Sequence, residues 1–223
     1  MQLKPIFDFL KELKINNNRE WFQQNKNHYL TIKEIYEHFI DLLIQKIKEF
    51  DPALGNISSK ECIYRIYRDI RFSKDKTPYK TFFDAFIAFG GKKSEYAGYY
   101  IHLEPDKSII SGGIYKPKPN ILKILRSEIY YNIEDFKNII FNYKFRKYFN
   151  GIYGNKLKLT PKGFPKDFED IDLLKYKSYV VLHQVNNNFW YKNDLIENTT
   201  DIFLALSPFN KFLNNALAQK SDY

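Results

Sequence analysis

Ala97-Gly-Tyr-Tyr-Ile-His-Leu-Glu104-Pro-Asp-Lys-Ser108-Ile-Ile-Ser-Gly-Gly-Ile-Tyr115 reads as two strands and the turn between them. Tyr99, Ile101 and Leu103 alternate with Gly98, Tyr100, His102 and Glu104, and a period of two is the signature of a strand with one buried face. Pro105-Asp106-Lys107 supplies turn chemistry. Ser111-Gly112-Gly113 sits in or beside the second strand, where glycines mark a bulge or the close approach of another group. Upstream, residues 61–72 and 81–89 have the same β-rich character. Four strands, 61–72, 81–89, 97–104 and 108–115, follow one another through short links, which predicts an antiparallel meander.

Helical spacing flanks this centre. Ile6, Phe9, Leu10 and Leu13 recur on one stripe, with Pro5 suited to a first turn. Asn17, with Glu20 three residues on, fits an N-cap and its capping-box partner. The next stripe runs from Trp21 through Tyr29, Tyr36 and Leu43 to Phe50 without Gly or Pro, so that helix is long or bent. Residues 120–130, 133–141, 193–206 and 208–218 also read as helices, interrupted by a strand at 178–184. Runs of strands bracketed by runs of helices predict an α+β fold, with a mostly antiparallel sheet packed against N- and C-terminal helices. No linker, repeat or shift of composition divides the chain, so residues 1–223 read as a single domain.

The net charge of +9 is weak evidence for a nucleic-acid partner. All but six of the 35 basic residues are lysine, a compositional habit that mostly makes a solvated surface. The lone cysteine, Cys62, excludes an internal disulfide and a cysteine-rich metal site, and its apolar surroundings suit a small buried hydrophobe. Residues 1–15 lack the apolar core of a signal peptide, and no apolar run is long enough to span a bilayer. The reading is a soluble, cytoplasmic protein with no membrane association.

Chemistry concentrates in Arg65-Ile-Tyr-Arg68-Asp69-Ile-Arg71-Phe-Ser-Lys74-Asp75-Lys76-Thr-Pro-Tyr79-Lys80. Half of the arginines fall within seven residues of a chain that otherwise chooses lysine, and the planar guanidinium fork binds carboxylate or phosphate bidentately. In a strand, Arg65, Asp69 and Arg71 would share a polar face and Arg68 an apolar one. A buried Arg68 must be paired, and Asp84 or Glu104 is the expected partner. Tyr100, His102 and Glu104 share one strand face and could act as acid and base, or hold a metal with a third ligand that no motif supplies; no metal is expected. His28, His38 and His183 read as structural or surface residues. Gly90-Gly91-Lys92-Lys93-Ser94 fails as a phosphate loop and reads as a tight turn.

At these motifs the sequence resembles the family catalogued as domain of unknown function 2461, found in bacteria and fungi. The resemblance rests on Asn16-Asn-Asn-Arg-Glu-Trp-Phe22, the whole segment 65–80, and Gly98-Tyr-Tyr-Ile-His-Leu-Glu-Pro105. Gly112-Gly113, Lys162-Gly-Phe164 and Lys177-Ser-Tyr179 extend it. It implies a single domain with its polar motifs gathered in the sheet region, and brings no activity. The family's motif often reads Thr-His-Phe-Gly where this chain has Thr81-Phe82-Phe83-Asp84.

The leading expectation is a site for a small anionic ligand, phosphorylated or carboxylated, with or without catalysis. Arg65, Arg68, Arg71, Lys74, Lys76, Tyr79, Lys80 and Tyr100 would line it, with Asp69, His102 and Glu104 as candidates for proton transfer. One alternative is nucleic-acid binding, with Tyr67, Tyr79, Tyr99 and Tyr100 as stacking platforms. The other is a structural or protein-interaction domain. The residues name no cofactor and no oligomeric state.

Overall fold

The computed structural model describes residues 2–218. The architecture is α+β, as the sequence predicts, with one antiparallel sheet of five strands among the described residues. These are β1 (Phe83–Ile87), β2 (Gly98–Leu103), β3 (Ile109–Ile114), β4 (Ile152–Tyr153) and β5 (Tyr179–Gln184). Their order in the sheet is β1-β2-β3-β5-β4. The chain divides into two compact units. The first comprises Met1–Lys92, Tyr100–Ile110 and Gln184–Asp201; the second comprises Lys93–Tyr99, Ser111–His183 and Ile202–Tyr223.

In the first unit, α1 (Lys4–Ile15) carries Pro5 in its first turn and buries Ile6, Phe7, Phe9, Leu10 and Leu13. It packs on α3 (Lys26–Phe50). Between them lies α2 (Arg19–Gln24), so the expected long helix is two. The break is at Asn25, whose side-chain amide donates to the Trp21 carbonyl at 2.9 Å and caps α2 from its end. The N-cap of α2 is Asn18, one residue later than expected: its side chain accepts from the Trp21 amide. Such a cap contributes about 1 kcal/mol. Asn17 is used elsewhere, as described below. Helix α3 turns Tyr29, Ile32, Tyr36, Phe39, Ile40, Leu43, Ile44 and Ile47 inward, a stripe of 3.6-residue period.

The expected first strand, residues 61–72, is not a strand. Ser58 and Glu61 form a capping box that opens a short helix, α4 (Ser59–Cys62). Asp41 of α3 accepts from the backbone and hydroxyl of Ser59. Cys62, the last residue of α4, is fully buried, and that burial pushes its thiol up to about 12. Gly91 follows β1 with a φ of +76°, and a Cβ there would lie 2.8 Å from the Glu61 carbonyl oxygen, so the turn requires glycine.

The second unit holds α5 (Pro119–Tyr131), α6 (Ile133–Ile140), α7 (Tyr143–Arg146) and α8 (Ile171–Leu174). The last helix, α9 (Leu195–Ala218), runs through Pro208, where the sequence predicts two separate helices. Ile202, Phe203, Leu206, Phe209 and Leu213 are buried along it and hold it across the proline. The carbonyl that loses its amide partner belongs to Leu204, half exposed on the opposite side, where the loss costs least. Asn214 exchanges hydrogen bonds with the backbone of Ala97, and Asn210 donates to the Gly98 carbonyl. The glycine pair behaves as expected: a Cβ on Gly113, at a φ of +103°, would collide with the Tyr179 carbonyl.

Candidate functional site

All the residues that matter here belong to the first unit. After α4 the chain touches β1 through the Ile63–Ala85 bridge and then doubles back on itself. Tyr67 pairs with Tyr79, the Arg68 amide donates to the Pro78 carbonyl at 2.9 Å, and the Lys80 amide donates to Ile66 at 2.8 Å. The result is an arm whose tip is residues 69–76. Asn17 roots it, its side chain donating to and accepting from the backbone of Tyr79. Phe22 stacks on the Tyr79 ring at 3.9 Å.

Arg68 meets neither Asp84 nor Glu104. The doubling back brings Asp75 and Thr77 opposite it, and its guanidinium donates to Asp75 Oδ2 at 2.6 Å and to the Thr77 carbonyl at 2.9 Å. The Thr77 hydroxyl and Ser73 Oγ complete the clasp. The Thr77 amide also donates to Asp75. These donors lower the Asp75 carboxyl to about 2. Arg71 binds Asp69 with two parallel bonds, 3.0 and 2.7 Å. Lys76 donates to the Ile70 carbonyl, while Arg65 and Lys74 are exposed. The three arginines therefore do not converge on one point.

A second polar cluster lies on the sheet. The alternation that buries Phe83, Ala85 and Ile87 places Lys80, Phe82 and Asp84 together on the other face of β1 and its approach. Lys80 Nζ stands 2.6 Å from Asp84 Oδ1, with the rings of Tyr64 and Phe82 5.3 and 5.2 Å from the ammonium. Both side chains are well shielded, 18% and 12% exposed. Burial raises the Asp84 carboxyl above its ordinary value, even though Lys80 and His102 pull it down. Desolvation outweighs a close counter-charge when little water reaches the group.

On β2 the expected trio is aligned. Tyr99, Ile101 and Leu103 are buried, and Tyr100, His102 and Glu104 occupy the other face. His102 Nε2 lies 3.0 Å from Glu104 Oε2, and His102 Nδ1 lies 3.3 Å from the Tyr100 hydroxyl. An ionised Glu104 fixes the Nε2–H tautomer of a neutral imidazole, leaving Nδ1 to accept the phenolic proton. The Phe82 ring lies against the imidazole at 4.2 Å. Tyr100, His102 and Glu104 form a hydrogen-bonded line beside a shielded lysine–carboxylate pair, an arrangement suited to moving a proton next to an anion.

The candidates named from sequence thus fall into two groups. His102, Glu104, Tyr100 and Lys80 are brought together on the sheet face. Asp69, Arg68, Arg71, Lys74 and Lys76 belong to the arm, and Arg65 is exposed at its base. Tyr79 is 6% exposed beneath Phe22 and lines no surface. The sequence offers Asp84 only as a partner for Arg68 and gives Phe82 and Tyr64 no role; period-two spacing from Lys80 is the signal that links Phe82 and Asp84 to it. Among the expected stacking platforms, Tyr79 and Tyr99 are buried, while Tyr67 is half exposed. His183 Nδ1 donates to the Tyr148 carbonyl, 2.9 Å away, and partial burial lowers its pKa. His28 and His38 are exposed.

Among the described residues no three His, Cys, Asp or Glu side chains gather as a metal-ligand set. No described helix is long and apolar enough to cross a membrane. No curated protein and no solved structure matches the chain significantly. The profile of one family, described as "Conserved hypothetical protein (DUF2461)", matches residues 5–212. That span takes in the arm and both faces of β1 and β2, and the chain belongs to the DUF2461 family.

Proposed function

We propose that the protein is an acid–base enzyme for a small anionic substrate, bound on the polar face of β1 and β2. The observation that carries this reading is the presence of two shielded pairs on one face, Lys80–Asp84 and His102–Glu104, with Lys80 and His102 both against the Phe82 ring. Lys80 is the cation for the substrate's carboxylate or phosphate. When that anion displaces Asp84, the freed carboxyl, already drawn toward its neutral form by burial, takes up a proton. His102, oriented by Glu104, exchanges a proton with the substrate by way of the Tyr100 hydroxyl.

A thermal-shift panel of phosphorylated and carboxylated small molecules tests this. One class of anion is expected to raise the melting temperature of the parent and of His102→Gln, and to leave Lys80→Met unmoved. Calorimetry in two buffers of different ionisation enthalpy should then show proton uptake on binding, lost in Asp84→Asn. A second reading, a structural polar face, is favoured by the fact that Lys80, Asp84, His102 and Glu104 each already have a partner within the cluster. If no anion shifts the parent protein, that reading replaces the first.

A further inference from the structure

We propose that the tip of the arm, residues 69–76, docks single-stranded nucleic acid, with Phe72 stacking on a base and Arg65 and Lys74 contacting phosphates. This site is distinct from the sheet face and does not depend on the reading given for it.

The polar groups of the tip are turned inward on one another. Arg68 is tied to Asp75, Thr77 and Ser73; Lys76 is tied to the Ile70 carbonyl; the Ser73 amide donates to Ile70. A segment closed in this way is pre-organised, so a partner does not have to supply the ordering entropy. Its one aromatic side chain is nonetheless held outward: Phe72 is 96% exposed. The Arg71 guanidinium, steadied by Asp69, stands 5.9 Å from the ring centre, and the ring stays open to solvent.

The surroundings select an anion. Residues 65–76 hold five cations against two carboxylates, and both carboxylates are engaged by Arg68 and Arg71. Arg65 and Lys74 are exposed on the same segment. One open ring flanked by cations matches the repeating unit of a single strand, a planar base and a phosphate. A lipid surface is the poorer fit. Peripheral anchoring draws on a broad apolar face, whereas this is a single ring between Arg71, Ser73 and Lys74 in the sequence.

The test is fluorescence anisotropy with a fluorescein-labelled oligothymidine and the full chain. The parent should bind at low salt, with affinity falling as salt rises. Phe72→Ala should weaken binding about ten-fold, Phe72→Trp should restore it, and Lys74→Glu should both weaken it and flatten the salt dependence. The ring is exposed, so the alanine variant should keep the parental melting temperature. Because that substitution carries no charge, general attraction to a basic protein would leave Phe72→Ala binding as tightly as the parent, and this result overturns the proposal. Failure of the parent to bind overturns it too. Sedimentation with phosphatidylserine vesicles, abolished by Phe72→Ala and without oligonucleotide binding, overturns it in favour of a lipid surface.

Discussion

The arm and the sheet face each contain an ion pair of the same length, with opposite consequences. Arg68 stands 2.6 Å from Asp75, and Lys80 stands 2.6 Å from Asp84. Asp75 is 59% exposed and its carboxyl is pulled down to about 2. Asp84 is 12% exposed and its carboxyl is pushed up. Distance to a counter-charge does not set the outcome; the remaining solvation does. In the arm, water and several donors favour the ion, and the pair serves as a fastener. On the sheet face the ion has lost its water and one contact does not make up the deficit, so the carboxyl is prepared to take a proton. Clustered charge in a sequence therefore does not say which carboxyl is drawn toward its neutral form; the shielding of each one does.

The sharpest way to break this comparison is to remove one partner of the shielded pair. Asp84→Ala leaves Lys80 without its counter-charge and should cost about 3 kcal/mol in urea denaturation. The double variant Lys80→Met with Asp84→Leu should recover most of that loss; a single-variant loss well under 1 kcal/mol would mean that the pair is solvated after all. The corresponding change in the arm, Arg68→Ala, should leave the global unfolding midpoint almost unmoved. It should instead speed tryptic cleavage within residues 69–76 by about ten-fold through local opening. Cleavage at the parental rate would show that the clasp does not hold the tip.

The smallest effect lies in the response to acid, where the two carboxylates act with opposite signs. The folded value of Asp75, about 2, is below its ordinary 3.8. Its contribution is complete above the ordinary value and is lost as the pH falls toward about 2. Asp84 is raised above the same ordinary value. It therefore destabilises the fold once ionised, and stability is gained as the pH falls from its folded value through 3.8. Asp84→Asn should abolish that gain and Asp75→Asn the later loss, measured as melting temperature against pH. The same slope change in both variants would contradict the contrast.

Much of this was legible in the residues. The alternation from Tyr99 to Leu103 placed Tyr100, His102 and Glu104 on one face, because a strand with a single buried side writes its geometry into every second position. The α+β class followed from similar patterns. Residues 61–72 were misread because aromatic and β-branched side chains in alternation suit any extended chain, whether or not it joins a ladder. The Ser58–Glu61 capping box was the local signal that should have moved the start of that segment into a helix. Arg68 was assigned a distant partner because nothing local shows that the chain doubles back; only the pairing of Tyr67 with Tyr79 puts Asp75 within its reach. The shielding of Asp84 was beyond the sequence entirely, since it depends on what the rest of the unit places over it.

The bonds between Asn17 and the backbone of Tyr79 join points 62 residues apart. A chain leaving the ribosome makes Asn17 early and must hold it in reserve until Tyr79 has been made and the intervening loop can close. The entropy of that closure grows only slowly with length, but it must be met before the contact gives anything back. The rooting of the arm therefore waits on residue 79 and on closure of the loop between. A motif spelled out by one short stretch of sequence is completed by the opposite end of the same unit.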